Sequence, residues 1–242
     1  MGNMSTVQNV MMKSRCVRRH NEMALYDITP FTLLDFPDLP AAIFWFAGCN
    51  LRCSYCYNPD IVLGKGSIDE STALAFLSKR CGLLEGVVLS GGEATLYPRL
   101  IEFCRSIKTL GFKIKLDTNA MCPDVIEKLL QEKLLDYVAL DYKAPSSRMK
   151  DICGGGNEHR FWESFYLLQS SKVGFEVRTT FHPDLLKESD IITMSQRLRH
   201  NGYLAPFYVQ IFQNGVPTLG NINPSSHPID HERLKRYVTF RN

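Results

Sequence analysis

Short apolar runs rich in β-branched and aromatic residues alternate with longer amphipathic runs from residue 42 to residue 238, and this rhythm limits the fold more than any other feature. The patterning predicts strands over 42–46, 86–89, 112–116, 137–140, 175–181 and 206–212, and helices over 70–80, 98–110, 123–133, 157–171, 187–200 and 230–238. Strands separated by helical crossovers pair in parallel through right-handed connections. Six such units are fewer than the eight that close a standard barrel, so the pattern admits an open doubly wound α/β sheet or an incomplete barrel. Both architectures bind ligands at the carboxyl ends of their strands, so the residues just after each strand are those to search. A length of 242 residues with 45% hydrophobic composition suits a single core, expected over residues 23–242.

The first strand runs into Gly48-Cys49-Asn50-Leu51-Arg52-Cys53-Ser54-Tyr55-Cys56-Tyr57-Asn58-Pro59, which places three thiols three and then two residues apart. Cys49, Cys53 and Cys56 would share a face on a helix, but Gly48, Asn50, Asn58 and Pro59 argue for a loop. Structural zinc wants four ligands, usually in paired short spacings, and no second pair lies nearby. Thiolates are the usual ligands of iron-sulfur clusters, and three of them leave one iron of a four-iron cluster open to chemistry. The remaining cysteines, Cys16, Cys81, Cys104, Cys122 and Cys153, are scattered and read as buried thiols of a reducing compartment.

A formal net charge of +3 lacks the concentrated field of nucleic-acid binders, and the apolar run 41–48 is too short to span a bilayer. The chain is expected to be cytoplasmic, with neither nucleic acid nor membrane as partner. Residues 1–22 carry Lys13, Arg15, Arg18, Arg19 and His20 with no acid before Glu22, and read as a disordered N-terminal extension.

Other strands end in similarly placed polar groups. Ser90-Gly91-Gly92-Glu93 follows the second, where glycines let a ligand approach the backbone. Asp117-Thr118-Asn119 ends the third and Asp141-Tyr142-Lys143 the fourth, delivering an acid to the mouth of the sheet twice over. On the fifth, period two puts Glu176, Arg178, Thr180 and His182 on one face, and Gln210 sits comparably on the sixth. With helices covering the outer side, that polar face should line a cavity. The other reading is a solvated edge strand.

The cysteine spacing, with Tyr55 before the last thiol, resembles the radical S-adenosylmethionine (SAM) enzymes. Gly91-Gly92-Glu93 is similar to the element that meets the SAM amino group there, with Ala94 in place of the usual proline. Ile28-Thr29-Pro30-Phe31, Lys115-Leu116-Asp117-Thr118-Asn119, Asp141-Tyr142-Lys143-Ala144-Pro145 and Arg178-Thr179-Thr180 further resemble the activating proteins of anaerobic ribonucleoside-triphosphate reductase. The resemblance implies an incomplete (β/α)6 TIM-like barrel. It implies one 4Fe-4S cluster on Cys49, Cys53 and Cys56, with SAM contacts from Tyr55, Gly91, Gly92, Glu93, Asp117, Thr118, Asn119, Asp141, Lys143, Arg178 and His182. Asp117, Thr118 and Asp141 would serve ribose or a monovalent cation. Flavodoxin or ferredoxin would supply the electron, and a glycyl-radical enzyme would be the protein substrate. Two other readings stand beside it: radical SAM modification of a peptide or small molecule, and a non-enzymatic iron-sulfur electron carrier.

Overall fold

The computed structural model describes residues 25–241 as one sheet of eight strands in the order β1 to β8, with helices between them. The expected extension 1–22, Cys16 with it, lies outside the described residues. The strands are β1 Leu25–Thr32, β2 Ala41–Phe46, β3 Gly86–Gly91, β4 Lys113–Thr118, β5 Tyr137–Asp141, β6 Gly174–Phe181, β7 Phe207–Ile211 and β8 Thr239–Arg241. The helices are α1 Pro59–Leu63, α2 Glu70–Ser78, α3 Leu100–Thr109, α4 Pro123–Gln131, α5 Ser146–Cys153, α6 Glu158–Gln169, α7 Glu188–His200 and α8 His231–Leu234. From β2 to β8 every neighbouring pair is parallel, whereas β1 runs antiparallel to β2.

This order decides between the two architectures. A doubly wound sheet reverses direction at its switch point. Here each connection moves one strand further the same way, so right-handed crossovers put the helices on one side and curl the sheet around the other. The two edges, β1 and β8, do not pair with each other, and the barrel stays incomplete.

Strand interiors follow period two. Ile114, Leu116, Val138, Leu140, Val177 and Val209 are buried in the main core with Phe44, Phe103, Phe161 and Phe165. The intervening residues face inward. A small plug of Phe36, Ala41, Ile43 and Val88 packs among the amino ends of β2 and β3, and polar groups occupy the carboxyl ends. Helix starts carry the expected caps: Asp69 accepts from the Thr72 amide at 2.7 Å, and Asn157 from the His159 amide at 2.8 Å.

Three departures have local causes. Strand β1 was not expected, because Pro30 interrupts it, yet Pro30 sits on an edge strand where the register shifts between Thr29 and Thr32 and no ladder donor is needed. Helix α5 sits between Pro145 and a left-handed Gly154, inside a stretch that reads as a loop. The helix expected over 230–238 is only four residues long, because Thr239–Arg241 pairs with β7 as a further parallel strand.

Candidate functional site

The carboxyl ends of β2 to β7 surround a cavity with an open mouth, at the end of the sheet where such folds bind ligands. Cys49, Cys53 and Cys56 line one side, and Ser90, Asp117, Asp141, Lys143, Arg178, Thr180 and Gln210 line the floor and far wall. The thiols are free. Among the described residues no three His, Cys, Asp or Glu side chains converge on a single-ion position, so the thiols are not gathered around one metal ion.

The cysteine loop is held from three directions. Gly92 donates to the Phe46 carbonyl at 2.9 Å and Glu93 to the Gly48 carbonyl at 2.9 Å. Neither glycine can change: a Cβ on Gly92 would stand 2.1 Å from the Gly48 oxygen, and Gly91 has φ +117° with its Cβ position 2.4 Å from the Phe46 nitrogen. Arg52 and Ser54 donate to the carbonyls of Cys153 and Ile152 at the end of α5. Leu219 and Gly220 donate to the carbonyls of Cys56 and Ser54, both at 2.9 Å.

Residues 212–223, a connection containing Gly215, Pro217, Gly220 and three asparagines, therefore form a strap against the cysteine loop. Tyr57 stacks on Phe212 with centroids 5.3 Å apart and its hydroxyl accepts from the Gln213 amide at 2.6 Å. His182 belongs to this strap's anchorage and does not line the cavity. Its ring lies 4.4 Å from Phe212, its Nε2 faces the Asn223 carbonyl at 3.2 Å, and its Nδ1 accepts from the Asp184 amide. The expected SAM contact from His182 is corrected accordingly: β6 ends at Phe181, and its period-two face no longer governs the next residue.

Glu93 lines the cavity as well, and its carboxylate is engaged within the fold. One oxygen accepts from the Thr95 amide and from the hydroxyls of Thr95 and Thr118, and the other accepts from the Asn119 amide at 2.7 Å. Burial pushes its carboxyl up, and these four donors pull it back. Glu93 thus ties the end of β3 to the end of β4. Asn119 in turn donates to the Asn50 side chain at 2.7 Å and to the Cys49 sulfur at 3.6 Å.

Beneath the thiols lies an ion network. Asp117 receives Lys115 at 2.6 Å, Arg178 at 3.2 Å and the Ser90 hydroxyl at 3.2 Å. Asp141 receives Arg178 at 2.7 Å and Lys143 at 2.8 Å. Three basic groups face two carboxylates, leaving one positive charge in excess. Burial alone would raise the Asp141 carboxyl, but Arg178 and Lys143 outweigh it and hold it down at about 2. Asp117 is lowered in the same way, against burial, by Arg178 and Lys115. The polar face of β6 is thus interior, since β6 pairs with β5 and β7 on its two sides.

The donor set fits an iron-sulfur cluster, since three free thiols of one loop line one open cavity beside Lys143, although their protons must be displaced for it to bind. Burial, then the charge of Glu93, pushes Cys49 up to about 12, and burial also raises Cys56. Only a strong positive charge can displace such protons, as iron would, and Lys143 pulls all three thiols in that direction. The Tyr55 hydroxyl, buried at the cavity wall, has no hydrogen-bond partner among the described residues. A monovalent cation fits less well, because all four oxygens of Asp117 and Asp141 already accept from side chains. The Thr118 hydroxyl is likewise given to Glu93.

Replacing Gly92 by alanine should shift the Gly48–Cys49 backbone at an overpacking cost of about 1–3 kcal/mol. Iron and sulfide content after anaerobic reconstitution should fall with it, and full retention of iron would show that the contact is dispensable.

Comparison with known proteins gives a consistent result. A family model described as the radical SAM superfamily matches residues 43–193. A protein of Methanocaldococcus jannaschii with the provisional name glycyl-radical enzyme activating enzyme is 32% identical over 182 residues, covering 71% of this chain and 74% of its own. The pyruvate formate-lyase-activating enzyme of Clostridium pasteurianum is 36% identical over 227 residues, covering 89% of this chain and 82% of its own. Among solved structures, SuiB of Streptococcus suis bound to the precursor peptide SuiA aligns with a TM-score of 0.64 at 17% identity, over 81% of this chain and 44% of that one. At that identity the likeness concerns the fold.

Proposed function

The chain belongs to the radical SAM superfamily, and from that premise we propose that it cleaves S-adenosylmethionine at a 4Fe-4S cluster to install a glycyl radical on a partner enzyme of the anaerobic ribonucleotide reductase kind. The observation that carries this reading is the meeting of three free thiols from one loop with a positively biased ion network in a single open cavity. The names of the two relatives support the choice of glycyl-radical activation.

When bound, the cluster supplies a low-potential electron that breaks the sulfonium bond of SAM, giving methionine and a 5'-deoxyadenosyl radical. The protein's own residues supply placement. Cys49, Cys53 and Cys56 would hold three irons, and the fourth would take the amino and carboxylate groups of SAM. The excess positive charge of Arg178 and Lys143 favours the carboxylate end. With the Glu93 carboxylate already saturated, we assign the amino contact to backbone carbonyls of Gly91 and Gly92. Tyr55 offers its unpaired hydroxyl from the opposite wall, and Asp117 and Asn119 are left for the ribose side.

The partner's glycine would reach the cavity through its open mouth. There the primary radical would take a hydrogen atom from a glycine α-carbon, becoming 5'-deoxyadenosine and leaving the unpaired electron on the partner's backbone. Holding donor and acceptor at contact distance is what directs so reactive a species. Flavodoxin or ferredoxin is proposed as the electron source.

The test is anaerobic reconstitution, reduction, and addition of SAM with an anaerobic ribonucleotide reductase. A glycyl-radical doublet in the electron paramagnetic resonance spectrum, with 5'-deoxyadenosine formed alongside it, is expected. Deoxyadenosine without a glycyl radical on any such partner would move the assignment to a peptide or small-molecule target, and no SAM cleavage by a fully loaded cluster would overturn it.

A further inference from the structure

Asp117 and Asp141 project from adjacent parallel strands, with Asp117 opposite Ala139 in the register and Asp141 two residues further along β5. Two carboxylates in one partly dehydrated cavity cannot both stay ionised without positive charge between or beneath them. A bound monovalent ion is one way to supply it. In this chain Lys115 lies two residues before Asp117 on the same face of β4, which brings its ammonium to 2.6 Å from Asp117 Oδ1. The Lys115 side chain is only 3% exposed and does not line the cavity, so it reaches the carboxylate from below and leaves the ligand side open. Arg178 bridges the two acids, and Lys143 takes the remaining oxygen of Asp141.

We propose that Lys115 is a built-in counter-cation, a positioning residue that makes the SAM site independent of bound potassium or sodium. The charge count supports it. Basic groups already outnumber acids in the network by one, so an added cation would raise a buried excess, next to carboxylate oxygens that each already accept from a charged side chain. The sequence Lys115-Leu116-Asp117 thus writes the counter-ion into the strand itself. The inference rests on the SAM-binding role proposed above for the cavity.

The experiment compares the reconstituted protein in potassium chloride and in tetramethylammonium chloride at equal ionic strength, with SAM affinity read by calorimetry. The parent should bind SAM equally well in both salts. Lys115→Met keeps the length of the side chain and removes its charge. Its SAM affinity should fall about tenfold or more in tetramethylammonium, the loss of one charged hydrogen bond, and recover in potassium. Lys115→Arg should remain insensitive to the salt. A potassium requirement in the parent, or a Lys115→Met loss of equal size in both salts, would overturn the proposal, the second outcome leaving Lys115 a purely structural role. Thallium NMR on the parent gives an answer that needs neither the variants nor SAM. No saturable thallium site is expected, and one displaced by potassium would refute the idea. A parent that binds no SAM in either salt, yet shows no thallium site, would instead count against the functional reading.

Discussion

Replacing Cys53 by alanine is expected to abolish SAM cleavage, with 5'-deoxyadenosine falling to the level of protein without iron. Among the described residues the three thiols are the only cysteines that line the cavity, and they belong to one short loop, so losing one removes a corner of the cluster rather than a replaceable contact. Outer partners of metal ligands typically cost 10–100-fold in metal affinity or activity, so a direct ligand should cost more than about 100-fold. Among the described residues Cys153 is the thiol that could complicate the result, because it is buried at the end of α5 against the cysteine loop. Its backbone is pinned by the Arg52 amide at 2.7 Å at the end of α5, which fixes it behind the loop. Cys153→Ser should therefore retain the cluster absorption that Cys53→Ala loses. Substantial iron and SAM cleavage in Cys53→Ala, lost again in the double variant, would show that Cys153 can serve as the third ligand.

The parts of this site that were legible in the sequence are those where one strand or one loop suffices. The cysteine spacing, the acids after β4 and β5 and the polar face carrying Arg178 and Thr180 are local patterns. Parallel strands deliver such patterns to one mouth by construction. What was not legible depends on chain segments far apart. His182 looks like a continuation of the β6 face, but the strand stops before it and its ring packs against Phe212 and Asn223. Glu93 lines the cavity as its position after β3 suggests, but its tie to Thr95, Thr118 and Asn119 joins two strand ends and is not written in either one. The strap that touches Cys56 and Ser54 comes from residues 219 and 220, more than 160 positions downstream, in a segment with no periodicity to mark it.

The same distinction applies to the fold. The alternation of runs announced six strand-helix units but not their spatial order, and only the order separates a barrel from a doubly wound sheet. Strands β1 and β8 escaped because an edge strand needs fewer apolar residues than a central one. Leu25–Thr32 is partly exposed and carries a proline, and Thr239–Arg241 is only three residues long. Arg241 nonetheless closes the base of the curl, pairing through both nitrogens with Glu176 at 2.8 and 3.0 Å and lying over the Tyr208 ring.

Arg178→Met should lower stability at neutral pH by about 1.5–3 kcal/mol, the usual worth of a hydrogen bond to a charged group, because the two acids lose the guanidinium they share but each keeps one lysine. The guanidinium alone spans both acids, so its loss weakens the pairing of Asp117 and Asp141 at once, although Lys115 and Lys143 each still hold one of them. The pH dependence identifies the cause. In the parent, Asp141 is held at about 2, below the ordinary carboxylate value near 4, so it contributes stability above about pH 4 that is lost as pH falls towards 2. In the variant, burial acts with less opposition and raises the folded-state value. Each acid then loses part of its folded-state preference for the ionised form, so protonation costs the variant less stability than it costs the parent. Denaturant unfolding from pH 7 down to pH 4 should therefore show the gap between parent and variant narrowing as pH falls. A gap of constant size across that range would mean that Arg178 contributes packing rather than charge, and the ion network would lose its claim to organise the floor of the cavity.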